Sequence, residues 1–300
     1  MLITLKVVVE EPKMVTTVAS GFQRLRENLE IAGLQKENVS ARQQNVRAAI
    51  ELELNVLESF LSGSYARATM IAPLAEADID IFNVLDTSYY SQDGQATLLD
   101  RLKRVLQRTY PNTPAISRNG QAVTISFTDF TVDVVPAFNR NGGGYLIPDT
   151  VNKVWINTDP KVHADLISQE NAEHNGDLVP LVKMIKGWNR TINYAFESFY
   201  LELMAMEVFK GVTISDYASG TRYFFDKGRE KIRHKIKDPV EYGGWINPLR
   251  NVATVEDAVS RFETAYSRAY KGEQFDLNGR SDLAIDEWRK IFGDYFPTYG

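Results

Sequence analysis

The chain has 300 residues, of which 44% are hydrophobic and 24% charged, and its formal net charge is −5. This composition is ordinary for a folded globular protein with one large or two medium-sized lobes, and the acidic balance argues against a broad surface for duplex DNA. Because the chain has no cysteine, disulfides and cysteine-based zinc sites are excluded, and its three histidines are too scattered for a typical histidine metal site.

The first twelve residues are apolar but cannot cross a membrane. The run from Met1 to Pro12 is too short for a transmembrane helix and is interrupted by Lys6. It also lacks the basic, apolar and small-residue regions of a signal peptide. We interpret it as an additional edge strand, or as sequence upstream of a start at Met14. With no transmembrane helix in the sequence, we expect a cytoplasmic protein without a membrane partner.

Two helices and a hairpin are predicted in the first half of the chain. Between residues 40 and 60, apolar residues recur at helical spacing with charges between them, which predicts a long amphipathic helix followed by a short strand at Phe60–Leu61. A similar pattern predicts a second helix from about residue 96 to Tyr110. The pair Asn119–Gly120 is typical of a hairpin turn, and a β-branched strand follows it.

Two aspartates separated by one residue lie between these helices. Asp78-Ile79-Asp80 sits in an apolar run typical of a strand, so both carboxylates should project from one face while Ile79 points into the core. Paired carboxylates repel each other unless a cation lies between them, and an all-oxygen site suits Mg²⁺. The preceding Gly63–Ser64 turn offers backbone N–H groups that could hold phosphates.

A third carboxylate completes the predicted metal site. Asp133 is the only charged residue of the β-branched run from Phe130 to Phe138. An isolated aspartate in such a strand is disfavoured by both propensity and burial, so its presence calls for a reason. On a strand beside Asp78 and Asp80, it would complete a three-carboxylate site for two metal ions.

The second half of the chain is predicted to be helical. The region from 139 to 160 is rich in glycine and proline, and we place a domain boundary there, between residues 1–155 and 156–300. After it, helical periodicity predicts six helices, at 161–172, 177–190, 196–210, 218–235, 254–271 and 281–293. The expected architecture is therefore an α/β (α+β) lobe with a mixed sheet, followed by a helical lobe.

These motifs, in this order, resemble a known signature. The run Gly63–Thr69, then Asp78-x-Asp80, then Asp133-Val-Val-Pro136, is similar to the nucleotidyltransferase signature of the DNA polymerase β-like superfamily. Further segments narrow the resemblance: Tyr145–Asp149 with Trp155 and Asp159-Pro160, then Leu181–Asn189, Ser198–Glu202 and Trp288–Gly293. Over roughly residues 40 to 295 the chain resembles the bacterial CD-NTases, the cGAS/DncV-like SMODS nucleotidyltransferases that make cyclic oligonucleotides in antiphage defence.

The resemblance implies a fold and further site residues. It implies a polymerase β-like catalytic lobe with a spine helix, and an active site in the cleft between this lobe and the helical lobe. Gly63 and Ser64 would bind the triphosphate, and Lys186 and Ser198 would reach it from the helical lobe. Phe199, or its neighbour Tyr200, would stack on a base.

The predicted enzyme is a Mg²⁺-dependent nucleotidyltransferase that condenses nucleoside triphosphates, ATP among them, into a cyclic di- or trinucleotide. Two metal ions are expected, with Mn²⁺ as an alternative. The product would act on an effector protein, and CBASS accessory proteins are expected partners. The zinc-thumb cluster of the related cyclic GMP–AMP synthase contains cysteines, which this chain lacks. Activation by duplex DNA through such a cluster is therefore not expected.

Two alternatives stay open at the level of the sequence. One is a nucleotidyltransferase that modifies RNA, protein or a small molecule, and the helical lobe after the motif Lys186-Gly187-Trp188 favours the cyclising group over it. The other is a catalytically silent nucleotide-binding scaffold, against which the three intact carboxylates count.

Overall fold

The computed structural model describes residues 14–31, 33–113, 115–240 and 242–300, with the side chains of 33–36 excepted. The predicted N-terminal strand or upstream segment falls outside these residues. The chain forms two compact units. The sheet unit contains residues 30–183 and 235–247, and the helical unit contains helix α1 (Val18–Leu29) with residues 184–234 and 248–300.

The sheet unit is built from nine strands and four helices among the described residues. The strands are β1 (Val56–Leu61), β2 (Asp78–Leu85), β3 (Ala115–Asn119), β4 (Ala122–Ser126), β5 (Thr131–Asn139), β6 (Tyr145–Asp149), β7 (Val154–Thr158), β8 (Ile236–Lys237) and β9 (Trp245–Ile246). The helices are α2 (Gly33–Glu51), α3 (Gly63–Ala66), α4 (Gln95–Thr109) and α5 (Pro160–Glu173).

Seven of these strands form one mixed sheet. Its central order is β1-β2-β5-β4-β3, while β6 pairs with β5 and β7 pairs with β6. The β2–β5 pair is parallel and the other pairs are antiparallel, as predicted for a mixed sheet. Ile79 and Ile81 of β2 are fully buried and belong to the same apolar core as residues of α2 and α4. One face of the sheet is therefore buried against helices, and the opposite face carries aspartates at the start of β2.

The helical unit follows the predicted pattern closely. Helix α6 (Leu178–Thr191) begins in the sheet unit and continues into the helical one, which also contains α7 (Ser198–Phe209), α8 (Tyr217–Lys231), α9 (Val255–Leu277) and α10 (Ser281–Phe292). Aromatic residues fill its core: Phe22 of α1 packs edge-on against Trp288 of α10, and Trp188 packs against Phe262 of α9. In the described part of the chain, no helix is both long and apolar enough to cross a bilayer.

One predicted helix is wrong in its second half. Helix α2 ends at Glu51, and residues 56–61 form strand β1 instead of the last turns of a helix that continues to residue 60. Leu57, which the helical spacing placed on the apolar face, is 51% exposed. The reason is tertiary, because this segment pairs with β2 from Val56↔Leu85 to Leu61↔Ile81, and strand pairing outweighs a short-range helical pattern.

The compact units do not follow chain order. Helix α1 packs with the C-terminal helices, where Phe22 contacts Trp288, Phe292 and Phe296. Helix α5 and the segment 235–247 belong to the sheet unit, where His163 Nε2 lies 2.7 Å from Asp238 Oδ1. The domain boundary predicted after residue 155 stays a prediction. The two compact units instead group residues that pack together, whatever their order in the chain.

Candidate active site

The sheet brings the three predicted carboxylates to neighbouring positions. Asp78 and Asp80 open strand β2, and Asp133 lies on β5. The parallel register pairs Asp80 with Asp133 directly. Paired residues on adjacent strands point to the same face, and the burial of Ile79 and Ile81 confirms that the aspartates lie on the other side of β2. The three acids therefore share one face of the sheet.

The Asp133 carboxyl is held by a neighbouring strand. The Oγ1 hydroxyl of Thr124, its partner on β4, donates a hydrogen bond of 2.5 Å to Asp133 Oδ1. Burial raises the pKa of Asp133, the hydrogen bond from Thr124 opposes that shift, and the charge of Asp78 adds to it, so that the pKa lies above its usual value. A nearby cation would favour the charged carboxylates. Thr124 was not predicted as part of the site, because its only signal in the sequence is a hydroxyl in an apolar strand.

The Gly63–Ser64 turn lies directly against this site. Helix α3 starts at Gly63, immediately after Ser62, whose N–H donates to the carbonyl of Asp80 at 2.9 Å. Gly63 has a φ of +61°, and a Cβ atom built there would lie 1.8 Å from Asp80 Oδ2. Only glycine combines this backbone conformation with such a close approach. The turn that could bind phosphates is thus fixed beside a candidate metal ligand.

Replacing Gly63 by alanine is expected to reduce turnover by at least about a hundredfold, because the new methyl group would displace the Asp80 carboxylate. Turnover and melting temperature should be measured together. The matched control is Gly211→Ala, since Gly211 has a similar φ of +71° but nothing within 4 Å of the added Cβ. Equal activity losses in both variants would show that backbone strain, not displacement of Asp80, is responsible.

The three carboxylates suit a divalent cation by donor type and by register. Carboxylate oxygens are the ligands preferred by Mg²⁺ and similar hard cations. Over the residues that the structure describes, no three or more histidine, cysteine, aspartate or glutamate side chains are already arranged to hold a metal ion. Asp133 accepts a hydrogen bond from Thr124. The residues present therefore fit a divalent cation by their donor type and by the register that puts them on one face of the sheet.

A cavity of about 430 Å³ opens beside the carboxylates, and Asp80 and Asp133 line it. Its other walls come mainly from two turns, at residues 119–122 between β3 and β4 and at residues 149–152 after β6. This volume lies within the range of about 300–1,000 Å³ that is common for small-ligand sites. The candidate site therefore combines three carboxylates, a glycine turn that could bind phosphates, and a cavity large enough for an organic group.

The remaining predicted contacts belong to the helical unit. Lys186 on α6 is 7% exposed, and its Nζ donates to Glu202 Oε1 at 2.9 Å. Ser198 is the first residue of α7, and both Ser198 and Phe199 are half-buried. Tyr200 is fully buried, with its hydroxyl within hydrogen-bond distance of the main-chain carbonyls of Lys231 and His234, so only Phe199 of the two aromatic candidates retains exposed surface.

Glu202 belongs to the same cluster, although it was not predicted as a functional residue. It is 1% exposed and carries the carboxylate that neutralises Lys186. A buried charge without a partner is costly, which is why the two residues belong together. The available signal was an acidic residue inside the apolar stretch Ser198–Phe209, one helical turn after Ser198.

Comparison with known proteins gives consistent results. A cyclic AMP-AMP-AMP synthase from Acinetobacter is 24% identical over 94% of this chain and 86% of its own length. The Vibrio cholerae cyclic AMP-GMP synthase DncV, solved with a linear intermediate, superposes with a TM-score of 0.77 at 12% identity, covering 95% of this chain and 97% of that one. Escherichia coli MS115-1 CdnC, solved with a HORMA protein, gives 0.72 at 19% identity, covering 93% and 98%.

The family model with the description "Second Messenger Oligonucleotide or Dinucleotide Synthetase domain" matches residues 16–171, just over half of the chain. This range contains all three carboxylates and the Gly63–Ser64 turn. The superpositions add that the chain shares the fold of DncV and CdnC. The chain therefore belongs to the SMODS family of bacterial CD-NTases and is a nucleotidyltransferase that condenses nucleoside triphosphates into cyclic oligonucleotides.

Proposed function

We propose that this enzyme uses Mg²⁺ to join nucleoside triphosphates, ATP among them, into a cyclic di- or trinucleotide of CBASS-type antiphage defence. The observation that carries the proposal is the in-register pair Asp80–Asp133 beside the Gly63 turn. Members of the family generally use divalent metals. Held by Asp78, Asp80 and Asp133, such ions would offset the triphosphate charge and lower the pKa of an acceptor hydroxyl.

The protein's own residues have distinct roles in this proposal. Gly63 and Ser64 bind the β- and γ-phosphates of the donor nucleotide, with Lys186 and Ser198 as further triphosphate contacts and Phe199 as a stacking surface for a base. The acceptor ribose oxygen forms a bond to the donor α-phosphorus while the bond from that phosphorus to the bridging oxygen breaks. Pyrophosphate leaves, and the hydroxyl proton passes to the Asp133 carboxylate. Positioning and charge neutralisation supply most of the rate gain.

The wider partners follow from this activity. The cyclic product acts through a separate effector protein, and an accessory protein is an expected partner because the related CdnC was solved with a HORMA protein. A cytoplasmic location, where nucleoside triphosphates are abundant, is part of the proposal.

The function is tested with purified protein, Mg²⁺ and all four α-³²P-labelled nucleoside triphosphates, followed by phosphatase. Cyclisation places every α-phosphate in a phosphodiester bond, so the expected product keeps one labelled phosphate per nucleoside after phosphatase, does not change its mobility, and is cut by a nuclease. A linear product, which loses its 5′-terminal label to phosphatase and changes its mobility, or label that enters RNA, protein or an added small molecule, would contradict cyclisation.

Removal of divalent metal by EDTA is expected to abolish product formation, because three carboxylates and a triphosphate would then face one another without compensating charge. Product should return when Mg²⁺ is added in excess of the chelator, and Mn²⁺ is tested in parallel. A chelator-resistant rate would overturn the metal-dependent mechanism. Circular dichroism with and without EDTA serves as the control for folding.

A further inference from the structure

The cavity beside the carboxylates extends away from the phosphate-binding turn. In the sheet order β1-β2-β5-β4-β3, the Gly63–Ser64 turn follows β1, whereas the cavity reaches past β5 to the turn between β3 and β4. Asp80 and Asp133 line the cavity, and Gly63 and Ser64 do not. If the donor triphosphate lies on the turn, the space across the carboxylates is where the attacking nucleotide must sit.

The far rim of this cavity is a fixed structure. The N–H and the Oγ1 hydroxyl of Thr150 both donate to the carbonyl of Gly120, at 3.0 and 2.8 Å, and tie the two turns together. Asp149 is 6% exposed and accepts from the N–H groups of Val151 and Asn152 and from Asn152 Nδ2. Burial would raise the pKa of Asp149, but these hydrogen bonds outweigh it and keep the pKa below its usual value. The rim is therefore organised before a ligand binds.

The side chains on this rim can read a base. Asn119 and Gln121 are exposed amides on either side of Gly120, and each offers one hydrogen-bond acceptor and two donor hydrogens. Among the described residues that line the cavity, none is arginine or lysine. Asparagine and glutamine pair with the N6–H donor and N7 acceptor of adenine, whereas the two acceptors of guanine, O6 and N7, are matched by arginine or lysine.

We propose that this cavity binds the acceptor nucleotide and that Asn119 and Gln121 select adenine there. The inference rests on the proposed function and adds to it the position and the base of the attacking nucleotide. In that position the acceptor ribose faces Asp133, and its base lies over the turn between β3 and β4. Asp149 is a positioning residue that holds the opposite turn in place.

The experiment isolates one transfer step. Labelled 2′,3′-dideoxy-ATP lacks both ribose hydroxyls and can only be a donor, so its transfer to unlabelled ATP, GTP, CTP or UTP reports acceptor preference alone. Wild-type enzyme is expected to use ATP at least about tenfold faster than GTP, since one bidentate base contact has about this effect. Asn119→Ala/Gln121→Ala should lose most of that preference, and Gln121→Arg should shift it about tenfold towards GTP.

The matched control is Asn141→Ala, which removes another exposed amide of the sheet unit, in the loop after β5, and should leave the preference unchanged. Melting temperatures of all variants establish that they fold. Transfer with the same ATP preference in both rim variants, or a wild-type preference for GTP, would overturn this inference and leave the proposed function standing. Absence of transfer to every acceptor by the wild-type enzyme would contradict the proposed function itself.

Discussion

Replacing Asp78 and Asp80 together by alanine is expected to lower turnover by at least about a thousandfold while the fold is retained. The loss follows because both residues are proposed to hold metal and triphosphate, and a few kcal/mol of transition-state stabilisation corresponds to factors of this size. The fold should persist because Ile79 and Ile81, which anchor β2, are untouched and fully buried. The melting temperature should therefore stay close to that of the wild type. Product formation and thermal unfolding are the measurements.

The control for this double variant is Asp93→Ala. Asp93 is an exposed acid of the same unit, in the turn before α4, and its replacement removes negative charge away from the carboxylate site. It should be as active as the wild type. If the Asp78/Asp80 variant kept turnover within about tenfold of the wild type, the three-carboxylate mechanism would be untenable.

Replacing Glu202 by glutamine is expected to destabilise the protein by about 3–5 kcal/mol. The ammonium of Lys186, which is 7% exposed, would then remain buried without the carboxylate that neutralises it. The change is nearly isosteric, so the loss would report charge rather than volume. Urea unfolding measures it, because the free energy of unfolding falls linearly with denaturant.

A double variant separates the structural role of this pair from its role towards substrate. Lys186→Met/Glu202→Leu replaces the pair with apolar groups and should recover most of the stability lost by Glu202→Gln. If Lys186 contacts the triphosphate as proposed, this stable double variant should still show a raised KM for nucleotide. A normal KM would confine the pair to a structural role, and a Glu202→Gln cost below about 1 kcal/mol would show that another group neutralises Lys186.

The sequence predicted which helices and strands form better than it predicted where they begin and end. All six helices after residue 160 were found close to their expected positions, because their apolar periodicity is strong and their ends carry turn residues. Helix α1 was not predicted, and residues 56–60 were assigned to a helix. The two errors have different causes. The buried apolar residues of α1, Val18, Phe22, Leu25 and Leu29, do recur at helical spacing, so this helix was readable from the sequence and was missed. Strand β1, by contrast, is determined by pairing with the distant strand β2, about which a short-range pattern carries no information.

The same distinction applies to the candidate site. Asp78, Asp80 and Asp133 could be found because a charge in an apolar strand is conspicuous along the chain. Thr124 could not, since a threonine is an ordinary strand residue until the register of β4 with β5 places it opposite Asp133. Glu202 likewise becomes a partner of Lys186 only through helix packing. The sequence identified the charged residues that stand out from their neighbours along the chain. The structure adds the residues that form hydrogen bonds or ion pairs with them.

In the proposed mechanism, the parallel pairing of β2 and β5 also sets a limit on how early during its synthesis this enzyme can become active. Asp80 and Asp133 are register partners although they lie 53 positions apart in the chain, and β5 lies between β2 and β4 in the sheet. A nascent chain that ends before β5 contains two of the three carboxylates but no site, and non-local pairing of this kind forms slowly. In the proposed mechanism, catalysis therefore depends on the insertion of one central strand, and loss of activity should accompany the release of that strand during unfolding.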